Sequence, residues 1–160
     1  MKYKLIILIL LISQLLYSQR DSTQRYDLKL KSIRYSLIFA AGFAEGVKDA
    51  ISFHYPQFQA VHPNANPNYW DPSISWKNKY KYNDPTMGPK FAGSTGIFVF
   101  TTDGWHLTNM VNHLSLIGGS VIIPIHSKKP FKWYAKEFLI SYGVNRAGFV
   151  LAYNGLYRKW

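Results

Sequence analysis

Six titratable side chains lie near the middle of apolar segments, where charge is costly and by default indicates a functional site with a nearby partner. They are Glu45, Asp49, Asp103, His106, His113 and Arg146. Glu45 and Asp49 are four residues apart, so they share one face if the segment is helical. Asp103, His106 and His113 follow at offsets of three and ten, which places them along one stripe of a second helix. Packing of these helices would therefore bring carboxylates, imidazoles and a guanidinium together.

One interpretation of this polar cluster is a divalent-metal site in a membrane-bound enzyme. Carboxylates with imidazole suit iron, manganese or zinc, and helix bundles build such sites from facing helices. A bound metal could then activate water or oxygen. The spacing Asp103-x-x-His106 is loosely like a carboxylate-x-x-His ligand pair. The candidate metal ligands are Glu45, Asp49, Asp103, His106 and His113.

A second interpretation is structural. Arg146 would pair with Glu45 or Asp49, while Asp103 and His106 would satisfy each other and fix the helix register without chemistry. Buried charges are tolerated when they are paired, and loss of one partner costs roughly 3–5 kcal/mol. A polar cavity that binds a lipid headgroup or a small ligand is a third interpretation. The sequence leaves these alternatives open, and with them whether the protein is an enzyme.

Other catalytic templates are not met by the sequence. The chain has no cysteine, which excludes a thiol nucleophile, a zinc-thiolate site and a disulfide framework. Ser120 follows two glycines, but Ile122 stands where a G-x-S-x-G nucleophile elbow requires glycine.

The elements that would position the cluster are three apolar, helix-patterned segments, 34–55, 92–126 and 137–157. In the first segment small residues recur every four positions, at Gly42, Gly46 and Ala50, a spacing that lets a second helix approach closely.

The second of these segments contains helix-breaking residues. Gly118, Gly119 and Pro124 predict a kink or a break into two shorter helices. The helix count is therefore three or four.

Residues 56–91 predict a long irregular loop rich in proline and aromatic residues. Six of the eight prolines lie there, which excludes a long helix: Pro56, Pro63, Pro67, Pro72, Pro85 and Pro89. Between Ser73 and Tyr82, large and mostly aromatic residues alternate with lysines and serines, which predicts an extended stretch lying at a membrane interface. The residues predicted to contact that interface are Trp70, Trp76, Lys77, Lys79, Tyr80 and Lys81.

The N-terminal residues 1–19 have the layout of a signal peptide or signal anchor. Lys2 and Lys4 precede an apolar run that gives way to Ser18 and Gln19. The remaining residues, 20–160, are long enough for a single domain.

The charge distribution favours a lipid partner over nucleic acid. The formal net charge is +11, but the cations are spread over connections and segment ends, as in membrane proteins with anionic headgroups nearby. The mean hydropathy of −0.13 is low for a membrane protein with several spans, which keeps a soluble exported helical domain as an alternative.

Three stretches carry a family resemblance, AAGFAEGVKDAISFHY, NPNYWDPSISWKNKYK and GPKFAGSTGIFVFTTDGWHL. Over residues 38–110 the chain resembles a group of small uncharacterised bacterial membrane proteins with a Trp-rich loop. The resemblance implies a helical membrane protein and supplies no activity or cofactor.

Together these features predict an all-α fold, a small helical membrane bundle of three to four apolar helices with a long aromatic loop. The expected role is that of a non-catalytic subunit or accessory factor in the bacterial envelope. Its expected partners are the lipid bilayer and another envelope protein.

Overall fold

The computed structural model describes residues 22–125 and 129–158, so the predicted signal segment 1–19 lies outside the described residues. Within those ranges the chain forms helices and turns, with one isolated antiparallel bridge between Tyr80 and Pro89. The predicted all-α class is therefore confirmed.

Three long helices make up the bundle, and short helices connect the first to the second. The helices are α1 (Ser22–Phe53), α2 (Tyr55–Val61), α3 (Pro67–Trp70), α4 (Pro72–Ser75), α5 (Gly104–Ile125) and α6 (Phe131–Val150). The last helix continues as a π-helical end, Leu151–Tyr157. Helix α1 lies in the centre and packs along both α5 and α6. It begins well before the predicted residue 34, because residues 22–33 contain no glycine or proline that would stop it.

Helix α5 starts later than predicted. Residues 92–103 form turns, and the helix begins at Gly104 rather than at residue 92. The Asp103 carboxylate accepts a hydrogen bond from the backbone N–H of His106 at 2.9 Å. This bond satisfies one of the unpaired donors of the first helical turn and fixes the helix start.

The predicted break in α5 at its two glycines is wrong, since the helix runs unbroken to Ile125. Both glycines face α1. A Cβ atom added to Gly119 would lie 2.8 Å from the Ile38 side chain, and one added to Gly118 would lie 3.2 Å from Leu37. The glycines thus provide room for the central helix instead of ending their own.

The small-residue face predicted on α1 does bring another helix close, and that helix is α6. A Cβ atom on Gly42 would clash with the backbone carbonyl of Asn145. A Cβ atom on Gly148 would clash with the carbonyl of Phe39. A Cβ atom on Gly46 would lie 2.8 Å from the carbonyl oxygen of the residue that follows Gly148. The backbones of α1 and α6 are therefore in direct contact.

The predicted extended stretch between Ser73 and Tyr82 is wrong. The chain there forms α4 and two 3₁₀ turns, Trp76–Lys79 and Lys81–Asn83. The Asp71 side chain caps α4 by accepting from the N–H of Ser73, and Tyr82 and Asn83 take positive φ angles of 54° and 58°. Capping and turn geometry outweigh the alternating pattern.

The buried apolar core is small and lies around α1, α2 and the π-helical end. It contains Val47, Ala50, Ile51, Phe58, Ala152 and Tyr157. Among the helices that the structure describes, none combines the length and the apolar composition needed to cross a bilayer.

Gly148→Ala is expected to lower the free energy of unfolding by about 1–3 kcal/mol or more, because the added methyl group would push α6 away from α1. The matched control is Gly143→Ala on the same helix, where no atom lies within 4 Å of the added Cβ. Removing a mid-helix glycine at this open position should stabilise the protein by up to about 1 kcal/mol. Chemical denaturation measures both, and equal effects would show that the close contact is absent.

Candidate functional site

A buried ion pair joins α1 and α6, whose backbones are in direct contact. Arg34 on α1 is 2% exposed and Glu137 on α6 is 4% exposed. The Arg34 Nη1 donates to Oε2 of Glu137 at 2.6 Å, and Nη2 donates to the backbone carbonyl of the same residue at 3.0 Å. Nη2 also donates to the hydroxyl of Ser141, one turn further along α6. The guanidinium is thus held in a fixed geometry, which a buried charge requires.

Two further side chains of α1 complete the environment of the Glu137 carboxylate. The Tyr35 hydroxyl donates to Oε2 at 2.6 Å, and the Lys31 ammonium lies 3.3 Å from Oε1. Burial would raise the pKa of Glu137, but the hydrogen bonds from Tyr35 and Arg34 and the charge of Lys31 outweigh it and hold that pKa below its usual value. Burial and the bond to Glu137 raise the pKa of Tyr35 to about 12. Glu137 is therefore ionised at neutral pH.

This ion pair differs from the one predicted from the sequence, which joined Arg146 to Glu45 or Asp49. Arg146 is exposed, with its guanidinium carbon 4.3 Å from the centroid of the Phe149 ring, and it forms no ion pair within the described ranges. Glu45 and Asp49 are partly buried on α1.

Sequence reasoning missed Arg34 and Glu137 because each stands at the first position of a predicted helical segment. They were treated as segment boundaries. Their opposite charges at the starts of two apolar segments were the signal that could have found them.

Asp103 and His106 form a second polar pair, at the start of α5. Asp103 is 1% exposed, and its Oδ2 lies 2.7 Å from Nδ1 of His106. The Thr102 hydroxyl donates to the same carboxylate at 3.1 Å. Since Nδ1 is engaged by the carboxylate, Nε2 is the imidazole nitrogen left for another partner.

Next to this pair lies a small pocket of about 140 Å³. Its lining residues are Pro72, Ser75, Trp76, Asp103, Trp105 and His106. The Ser75 hydroxyl is buried and has no hydrogen-bond partner in the described part of the chain. We call this the Asp103–His106 pocket.

The remaining candidate ligands are not drawn into this pair. His113 is exposed, and its Nδ1 lies 2.7 Å from the Asn109 carbonyl of the preceding turn. No group of three or more histidine, cysteine, aspartate or glutamate side chains in the described part of the chain is placed to hold a metal ion. Of the five predicted ligands the structure pairs Asp103 with His106, and the divalent metal stays a prediction.

The six residues predicted at a membrane interface do not share one environment. Trp70 is partly buried, and its ring centroid lies 5.4 Å from that of Phe58. The same ring lies so close to Gly104 that a Cβ atom at that position would clash with it. Trp70 therefore contributes to the packing of the core, and its contact with a membrane interface stays a prediction.

The other five interface candidates lie on the 3₁₀ turns after α4. Lys77 lies over the ring of Trp76 at 5.7 Å and Lys79 over the ring of Tyr80 at 5.6 Å, while the two rings meet edge to face. Lys81 is exposed. The lysines therefore cover the aromatic rings instead of lying on the opposite side of a strand.

A larger cleft of about 480 Å³ lies between α2 and the π-helical end. Its walls are mostly apolar, and one of two histidine–tyrosine pairs stands at its side. His62 Nε2 is 3.0 Å from the Tyr157 hydroxyl, and His54 Nε2 is 2.8 Å from the Tyr153 hydroxyl. Burial raises the pKa of Tyr157, so its hydroxyl stays protonated.

Comparison of the chain with protein-family models, with curated proteins and with solved structures finds no match.

Glu137→Leu is expected to destabilise the protein by about 3–5 kcal/mol, because it leaves the buried guanidinium of Arg34 without its carboxylate. Arg34→Met should cost less, since Lys31 and Tyr35 still contact the carboxylate of Glu137. The double variant should lose far less than the sum, since neither charge remains. Denaturation of all three variants measures the coupling, and additive losses would contradict it. Arg146→Met, at an exposed position, is the control and should change stability by about 0.5 kcal/mol or less.

The lowered pKa of Glu137 predicts a loss of stability in acid. Its contribution is fully present above the pKa of the unfolded state, about 4.3, and is lost as the pH falls through the lower folded value. Glu137→Gln should therefore be less stable than the wild type at pH 7 and should show a flatter stability profile below about pH 4. Thermal unfolding across this range measures the profile, and parallel profiles would rule out this origin of acid sensitivity. Tyr35→Phe, which removes one hydrogen bond to the carboxylate, should be intermediate.

Proposed function

We propose that the protein is a small membrane protein of the bacterial envelope that acts as a non-catalytic subunit or accessory factor. The observation that carries this proposal is the distribution of polarity in the helix bundle. Several polar and charged side chains of the long helices are buried between the helices, while many large apolar side chains of α5 and α6 are exposed.

The outward faces of α5 and α6 are strongly apolar. Leu114 on α5 is 59% exposed and Phe138 on α6 is 69% exposed. The exposed large apolar residues of these helices and of the π-helical end are Val111, Leu114, Leu116, Ile117, Val121, Phe131, Phe138, Leu139, Ile140, Tyr142, Val150 and Leu151. Exposed apolar residues that are scattered singly need no explanation, but contiguous patches mark a surface that contacts lipid or protein.

The contacts between the helices are made largely by polar and small residues. The Asn112 side chain of α5 donates to the backbone carbonyl of Ala41 at 2.8 Å, and that of Asn145 on α6 donates to the carbonyl of Ile38 at 3.3 Å. Thr108 and Ser115 of α5 are also buried, as are Arg34 and Glu137. Helices in lipid associate through small residues and interhelical hydrogen bonds, and their ionisable residues face inward in pairs. In water the opposite arrangement is usual.

The inward polar residues also lower the average hydropathy of each helix. An average over a whole helix combines the polar inward face with the apolar outward face. The apolar character of the outward face therefore supports contact with lipid, even though the hydropathy averaged over the whole helix is lower.

The cations near the apolar faces fit a lipid surface. Lys132 and Lys136 are exposed on the first turns of α6, next to Phe131 and Phe138 in the sequence. Lysines at the edge of an apolar face can extend their ammonium groups to anionic headgroups while their alkyl chains stay with the apolar residues.

The hydrogen-bond partners of the polar groups in the bundle support a non-catalytic role. Arg34, Glu137, Asn112 and Asn145 direct their hydrogen bonds at other helices of the same bundle. Such bonds hold a fixed helix arrangement, which suits a subunit that presents one surface to the membrane and another to an envelope protein.

Replacing two adjacent exposed residues tests the membrane contact. Phe138→Ser combined with Leu139→Ser should weaken association with vesicles of phosphatidylglycerol and phosphatidylethanolamine by about tenfold or more, since two large side chains would no longer be buried in lipid. Flotation of the purified protein with these vesicles measures the association. The control is Ile97→Ser, which removes an apolar side chain that is 78% exposed on a loop before α5.

Equal flotation of the double variant and the wild type would contradict the proposal. So would release of the native protein by carbonate extraction, which would indicate an exported soluble domain. If the wild type fails to float and forms dimers that the double variant does not, the apolar faces bind a second copy rather than lipid.

A further inference from the structure

We propose that the Asp103–His106 pocket binds a neutral ring that carries hydroxyl groups, such as a pyranose unit of a glycan. This binding site goes beyond the proposed function and does not depend on it. The inference rests on an unpaired buried hydroxyl, a free imidazole nitrogen and two indole rings around one pocket.

The unpaired hydroxyl belongs to Ser75, at the end of α4. The residue is 1% exposed, and its Oγ has no hydrogen-bond partner among the residues that the structure describes. A buried polar group without a partner costs stability, so its presence beside a pocket calls for an external partner. Alanine would fill the same position without that cost.

The second polar group is the imidazole of His106. Asp103 holds Nδ1 at 2.7 Å and is itself fixed by the Thr102 hydroxyl and the backbone N–H of His106. The imidazole is therefore oriented before any ligand arrives, with Nε2 left to bond to it. With Nδ1 as the donor to the carboxylate, Nε2 accepts a hydrogen bond in the neutral form.

The remaining walls are apolar and mostly aromatic. Trp76 and Trp105 border the pocket together with Pro72. Small-molecule sites typically combine apolar and aromatic walls with a few placed polar groups. The faces of a sugar ring present C–H groups to such walls, while its hydroxyls extend from the edge.

The balance of donors and acceptors selects a neutral hydroxyl over a charged group. A hydroxyl both donates and accepts, which matches the Ser75 hydroxyl and the accepting Nε2 of His106. An anion would meet the Asp103 carboxylate. A cation would compete with the hydrogen bonds that the Asp103 carboxylate already accepts from the Thr102 hydroxyl and the backbone N–H of His106.

The size of the pocket limits the ligand to one ring. Its volume of about 140 Å³ is well below the roughly 300–1,000 Å³ of sites that hold drug-sized ligands. Trp76 is 40% exposed, so the pocket reaches the protein surface and the rest of a glycan chain would stay outside.

Binding of methyl β-D-glucopyranoside and of methyl N-acetyl-β-D-glucosaminide, followed by tryptophan fluorescence and saturation-transfer NMR, tests the proposal. We expect saturable binding of at least one glycoside to the full protein. Ser75→Ala should weaken it by about tenfold while leaving the melting temperature of the free protein unchanged or higher. A purely structural serine would lower the melting temperature when replaced.

A second variant tests the imidazole without removing its bond to Asp103. In His106→Asn the amide nitrogen takes the position of Nδ1 and can still donate to the carboxylate, but no atom replaces Nε2. This variant should fold and lose glycoside binding. Ser120→Ala, at an exposed position of α5, is the control and should bind as the wild type does.

Three results would overturn the inference. The first is an absence of saturable binding for both glycosides, and the second is unchanged binding in Ser75→Ala. The third is binding of inorganic phosphate in the same pocket, lost in His106→Asn, because it would make the site an anion site.

Discussion

The arrangement of the long helices depends on the buried pair of Arg34 and Glu137. Two charges removed from water destabilise a fold unless their geometry and additional hydrogen bonds compensate. Here the carboxylate receives bonds from both Arg34 and Tyr35. A slip of α1 by one turn would break all of them, so the pair fixes the axial register in which Gly148 faces Phe39.

The position of the Asp103–His106 pocket follows from the same central helix. α5 lies along the other side of α1, held by the bond from Asn112 to Ala41 and by the contact of Lys48 with the ring of Trp105. The loop before α5 is tied down by Asn78, whose side chain donates to the carbonyls of Asn68 and Thr102 at 2.6 and 3.1 Å. The start of α5 and the turn that carries Ser75 are thereby held together.

Features that depend on neighbours in the sequence could be predicted, and those that depend on distant partners could not. The small-residue face of α1 follows from a four-residue spacing, and the pairing of Asp103 with His106 follows from their separation of three residues. The pair of Arg34 and Glu137 joins positions 103 residues apart, which no local pattern reveals. The local pattern predicts a helix break at Gly119, whereas the role of this glycine is set by Ile38 on another helix.

The direct backbone contact between α1 and α6 has a consequence for sequence divergence. Where carbonyl groups of one helix lie against glycines of the other, as at Gly42 and Gly148, hardly any substitution can be accepted. The outward positions are constrained in a different way, because Leu, Ile, Val and Phe are equivalent there as long as the face stays apolar. Drift should therefore erase most of the overall identity between homologues, while the spacing from Arg34 to Gly42 and from Glu137 to Gly148 persists.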